Sequence, residues 1–142
     1  MSYITQQQLE DRYGERMIVQ LSDRAVPGLG LIDVAVVARA IADTDALIDG
    51  YLTGRYALPL ASTPPLLTDI AGEIAIYKLH RKSPDEKIVE DYNNAVKRLS
   101  DISKGVIRLN VEGAEPAMTS GGGVRTNEPE RPFTNDSLKG FI

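Results

Sequence analysis

Near the middle of the second half of the chain, Ile88, Tyr92, Ala95, Leu99, Ile102 and Val106 recur at intervals of 4-3-4-3-4. This spacing constrains the fold more than any other feature. A strand would send alternate residues to opposite faces, so only a helix can gather these six on one stripe. The stripe is as narrow as a coiled-coil seam, and two packings satisfy it: one side of an intramolecular bundle, or a coiled coil. A sustained coiled coil takes more heptads than this stretch supplies, which favours the bundle. Ser83-Pro84-Asp85-Glu86 reads as a capping box with Pro84 at the first helical position, and Gly105 ends the helix.

The rest of the first 111 residues reads in the same period. Thr5 and Gln8 form a capping box, with Ile4 and Leu9 placed as a hydrophobic staple, and Gly14 closes this first helix as a left-handed cap. A short second helix from Glu15 to about Leu21 buries Met17, Ile18 and Leu21. Ser22 to Ile32 is a loop, rich in turn formers at Asp23, Pro27, Gly28 and Gly30. Asp33 then caps a long helix, with Ile32 and Val37 as a second staple. Its apolar positions are Val34, Val37, Ala38, Ile41, Ile48, Leu52 and Tyr56, so it is expected to reach about Tyr56. Gly50 and Gly54 then lie four apart on one helix face. They either admit another backbone or mark a frayed end, since each costs about 1 kcal/mol in a helix interior. A fourth helix is expected from about Pro64 to Arg81, capped by Thr63, with Leu67, Ile70, Ala71, Ile74 and Tyr77 inward. Val106–Val111 is a short strand or an extended segment.

From about Glu112 the composition changes. Gly113, Pro116, the Gly121-Gly122-Gly123 triplet, Pro129 and Pro132 cannot support a packed core. Arg131, Phe133, Leu138 and Phe141 then reintroduce anchors. The predicted organisation is a helical domain over 1–111 and a C-terminal arm over 112–142. The arm either docks on a partner through those anchors or has no such role.

Composition removes several function classes. With 142 residues the chain fits one domain. Trp is absent and aromatics make up 6%, so Leu, Ile, Val and Ala must build the core. A net charge of −4 argues against a freely diffusing nucleic-acid binder, although an acidic ring could let DNA pass. The absence of Cys removes disulfides and thiolate chemistry. No apolar run approaches the roughly 18 residues of a membrane span, and the N-terminus lacks the pattern of a signal peptide.

No template for chemistry fits. His80 is the sole histidine and sits where a helix C-terminus favours it. Asp43, Asp45 and Asp49 read as a solvated helix face. The Asp23 loop has Ala25 and Pro27 where a calcium loop needs Asp or Asn. The glycine triplet lacks the strand and Lys-Ser/Thr of a phosphate loop. The first two helices could form a helix-turn-helix, but Arg16 and Gln20 alone give little to a groove. No catalytic residue, metal site or cofactor is expected, and the chain is read as not an enzyme.

The block Asp49-Gly50-Tyr51-Leu52-Thr53-Gly54-Arg55-Tyr56-Ala57-Leu58-Pro59-Leu60, followed by Pro64-Pro65-Leu66-Leu67 and Asp69-Ile70-Ala71, resembles the central signature of a phage Mu-like family of small virion proteins. Tyr3-Ile4-Thr5 and the stretch from Arg131 to Gly140 are similar to it as well. The resemblance implies an all-α bundle of four to five helices and a head–tail connector, or head-completion adaptor. Such a protein forms a ring beneath the portal, is located in the virion, and supports tail attachment and DNA passage. Its partners would be further copies in a cyclic homo-oligomer (a dodecamer is one option), the portal protein and the tail-completion protein, with neither membrane nor cofactor. Gly50, Tyr51, Gly54, Arg55, Tyr56, Arg131, Phe133, Leu138 and Phe141 are the candidate contacts. A cytoplasmic helical adaptor or regulator and a helix-turn-helix DNA-binding protein are the alternatives.

Overall fold

The computed structural model describes residues 2–111; the proposed arm, with Arg131, Phe133, Leu138 and Phe141, lies outside the described residues. Five helices follow one another: α1 (Gln6–Tyr13), α2 (Glu15–Ser22), α3 (Val34–Leu52), α4 (Pro65–Leu79) and α5 (Glu86–Lys104). Among the described residues there is no strand, so the fold is all-α as expected. Val106–Val111 forms no strand: the Val106 and Ile107 amides turn back to the Asp101 carbonyl, and Leu109 and Val111 beyond them are buried.

Side-chain caps explain two of the five helix starts, those of α1 and α3. The Thr5 hydroxyl accepts from the Gln8 amide at 3.2 Å, and the Gln8 side chain accepts from the Thr5 amide at 2.9 Å. Ile4 and Leu9 are fully buried beside this box, as a staple requires. Asp33 accepts from the Ala35 and Val36 amides at 3.1 and 3.3 Å. Asp33→Ala is expected to cost about 1 kcal/mol and Asp33→Asn much less, read by urea denaturation.

Two expected caps do not form. A residue before proline is pushed out of the helical region. Pro64 precedes Pro65, so it is extended (φ −62°, ψ 145°) and the helix begins at Pro65, one residue late. Asp85 (φ −58°, ψ 152°) is non-helical and makes no side-chain cap bond, so α5 starts at Glu86 and the Ser83 box does not form.

The helix ends bring further corrections. α3 stops at Leu52 rather than Tyr56, because the Thr53 hydroxyl bonds back to the Asp49 carbonyl and the chain turns at Gly54. Gly54 therefore lies beyond the helix, and Gly50 and Gly54 do not share a helical face. Leu79 ends α4 two residues before Arg81. Gly14 has a positive φ of 85° but an extended ψ of 141°, so it joins α1 to α2 without a left-handed cap. Gly105 does adopt the left-handed conformation, which carries Val106 off the α5 seam and leaves it 73% exposed. Val34 and Ala38 are also exposed, while Ala40 and Thr44 take the inward positions of α3.

The core is centred on α4. Leu67, Ile70, Ala71, Gly72, Ile74, Ala75, Ile76 and Leu79 are all buried, so this helix is covered on nearly every side. α3 and α5 pack along it and against each other, and α1 crosses its first half. Gly72 permits that crossing: a Cβ there would lie 3.3 Å from both Arg12 and Ile4 side-chain atoms. Ala95, Leu99 and Ile102 supply the buried stripe of α5, and the Tyr92 ring stacks on Tyr77 at 3.9 Å. The seam is thus one side of an intramolecular bundle.

Candidate functional site

The central block divides into an inner and an outer set. Tyr56 is 3% exposed, and its hydroxyl accepts the Leu109 amide at 3.0 Å. Tyr51 is half-buried against the core. The Arg55 guanidinium lies over Gly105, where even a Cβ would meet it, and its Nε is buried without a partner among the described residues. Gly50 and Gly54 face open space. Opposite them the N-terminus is tied down: Ser2 Oγ and the Tyr3 amide donate to Asp45 at 2.8 and 3.0 Å, and the Tyr3 hydroxyl donates to Asp49 at 2.5 Å. Of the acidic residues read as a solvated face, Asp45 and Asp49 therefore serve as acceptors for this tie.

A cluster of perturbed titratable groups lies between α1, α4 and α5. Glu73 pairs with Arg98. Burial pushes the Glu73 carboxyl above its ordinary range, with Arg98 opposing and Asp91 and Asp69 adding to the rise. Burial, with Glu73 and Asp91 nearby, pushes the Tyr13 phenol up to about 12. The fold therefore favours the neutral phenol. That stability is fully present below the ordinary phenol value of 10.0 and is lost as pH rises toward about 12. Tyr3 is shifted in the same direction, by burial first and then by Asp49. Tyr13→Phe is expected to flatten the fall in melting temperature across this alkaline window, while the parent chain loses stability as phenolate absorbance appears. His80 caps α4, and its Nδ1–H donates to the Ile76 carbonyl at 2.7 Å.

The loop from Asp23 to Asp33 shows a surface that sequence reasoning missed. One Asp23 carboxylate oxygen accepts the Gly30 amide at 2.7 Å and the other the Ala25 amide at 3.4 Å. At the loop's far end Ser22 Oγ accepts the Asp33 amide at 3.1 Å. The loop is thus shaped by its own polar groups. Ile32 packs against the core, yet Val26, Leu29 and Leu31 point outward, 98%, 72% and 69% exposed, and Val34 at the start of α3 is 61% exposed. Isolated exposed apolar residues are ordinary, but several on one short segment make it a candidate contact surface. The available signal was the presence of Val26, Leu29 and Leu31 among turn formers.

Basic side chains gather at the first residues of this loop, beside Asp23 and Asp43. Arg24, Arg39 and Lys78 line one depression together with Asp43, and Arg24, His80, Arg81 and Lys82 line its neighbour. Arg24 also donates to the Leu79 carbonyl at the α4 C-terminus. Among the described residues the ion pairs are Arg12–Asp69, Lys87–Asp91 and Glu73–Arg98, none of which uses this basic group.

Among the described residues the chain is thus all-α, with a loop that exposes apolar side chains at its tip and carries basic ones at its base. A family model described as "Bacteriophage Mu, Gp36" matches residues 3–128, most of the chain. The chain is 32% identical over 142 residues to "Gene product J" of Escherichia phage Mu, with both proteins covered completely. It is 28% identical over 140 residues to "Mu-like prophage FluMu protein gp36" of Haemophilus influenzae, covering 99% of this chain and 98% of the relative. The chain belongs to the bacteriophage Mu Gp36 family, in agreement with the resemblance carried by the Asp49–Ala71 block.

Proposed function

We propose that the chain is a structural subunit of the phage particle: a head–tail connector that assembles as a ring beneath the portal and supports tail attachment and DNA passage. Membership in a Mu-like phage family supplies the context. The observation that carries the reading is the ordered loop with Val26, Leu29, Leu31 and Val34 turned to solvent. A domain with a complete core gains nothing on its own by holding these side chains outward. A subunit that covers them on assembly does. The reading assigns the chain no catalysis, and its partners are further copies of itself, the portal protein and the tail-completion protein.

The test is electron microscopy of the full chain mixed with the portal of the same phage. A ring of this protein on the portal is the expected image. Portals that stay bare at saturating concentrations of the chain would remove the proposal.

A further inference from the structure

We infer that copies of this chain meet head to tail, with the Val26–Val34 loop of one copy seated on the outer face of α5 in the next. The inference rests on the ring reading and specifies its interface. A ring needs two different, complementary patches on each subunit. The loop is one of them, apolar at Val26, Leu29, Leu31 and Val34 and flanked by Arg24 and Arg39, both exposed. Asp23 and Ser22 already hold its shape, so docking it sacrifices little conformational freedom.

The second patch is an open groove of about 400 Å³ along the first turns of α5, lined by Pro84, Glu86, Val89, Glu90, Asn93 and Asn94. Pro84 and Val89 give it an apolar floor, half-buried within the chain. Glu86 and Glu90 stand on its rim one turn apart, and both are exposed. Like charges at this spacing repel and weaken an isolated helix. The nearby Lys87 is paired with Asp91 at 3.0 Å and offsets Glu90 only in part, while neither Glu86 nor Glu90 forms an ion pair among the described residues. The groove therefore has an apolar floor and a net acidic rim, and the loop has an apolar tip and a basic base. Among the described residues no hydrogen bond or ion pair joins them within one chain. Charge complementarity of this kind selects the partner and fixes register. A second copy supplies the match at both ends.

Charge exchange tests this with the full chain. Arg24→Glu with Arg39→Glu makes loop and groove both acidic, and Glu86→Lys with Glu90→Lys makes both basic. Each double variant should associate roughly 100-fold more weakly than the parent. Combining all four substitutions in one chain restores opposite charges and should restore assembly, which also shows that the exchanged residues are compatible with folding. Assembly is read by mass photometry, alone and on the portal. Because the chain has no Cys, Leu29→Cys with Val89→Cys gives a second readout: a short bifunctional thiol reagent should produce a ladder of covalent oligomers.

Double variants that assemble as well as the parent would overturn the interface while leaving the ring reading standing. A covalent ladder and charge-rescued oligomers without any ring on the portal would support the interface and remove the portal reading. A quadruple variant that stays apart although folded would overturn the interface. The same holds if Arg24→Glu with Arg39→Glu assembles normally but loses salt-sensitive binding to duplex DNA, which would assign the basic corner to phosphate instead.

Discussion

Ile74→Ala is expected to lower the stability of the chain by about 2–5 kcal/mol. Ile74 is fully buried at the middle of α4, the helix against which α1, α3 and α5 pack. Alanine is the better helix former, so local propensity opposes the loss and cannot cause it. The whole cost comes from removed contacts and from the cavity left behind. That cavity cannot close easily, because the residues beside Ile74 on the same helix include Ala71 and Ala75, which have no side-chain length to move inward. A domain of this size has a total stability of roughly 5–15 kcal/mol, so the loss is a large fraction of what holds it folded. Val34→Ala is the control. Val34 is 61% exposed, and its truncation should change stability by less than about 0.5 kcal/mol. Urea denaturation with an unchanged slope checks both. A cost below about 1 kcal/mol at Ile74 would mean that α4 is not the centre of the core.

The helices were legible because periodicity and caps are local signals. Thr5, Asp33 and Gly105 act on residues within a turn or two of themselves, so their effect can be read from a few neighbouring letters. The errors arose where a local signal competed with another. At Thr63-Pro64-Pro65 the attraction of a Thr cap lost to the steric effect of the second proline on Pro64, whereas the start of α5 at Glu86 has no such local cause. α4 was harder, because a helix buried on nearly every side has no polar face to reveal which residues point inward. Ala75, Ile76 and Leu79 therefore joined the core without being expected there. The contact loop was the least legible feature. Asp23, Pro27, Gly28 and Gly30 correctly announced a turn, but whether Val26 and Leu29 fold inward or outward depends on what the rest of the chain has already filled. That is a tertiary property. The same limit applies to Tyr56, whose place in the central block suggested a partner contact and whose ring instead enters the core.

Tyr56→Phe distinguishes these two roles for that residue. The substitution keeps the ring and its packing and removes only the hydroxyl. In the folded chain the hydroxyl accepts the Leu109 amide at 3.0 Å, in a region where Leu109 is 6% and Val111 7% exposed. The Val106–Val111 segment has no strand partner among the described residues, so no sheet ladder can take over that amide. Left unpaired and buried, the amide should cost about 1–3 kcal/mol. The loss should be concentrated where the bond is. Exchange of the Leu109 amide hydrogen should accelerate by about tenfold or more, because about 1.4 kcal/mol corresponds to a factor of ten in the opening equilibrium. Amides in the middle of α4 should respond only to the extent that global stability falls. If Tyr56 acted solely at a contact with another subunit, the isolated variant would keep its stability and its Leu109 protection, and only assembly would suffer. The buried hydrogen bond leads to the opposite expectation: a destabilised monomer, with the change first visible at Leu109.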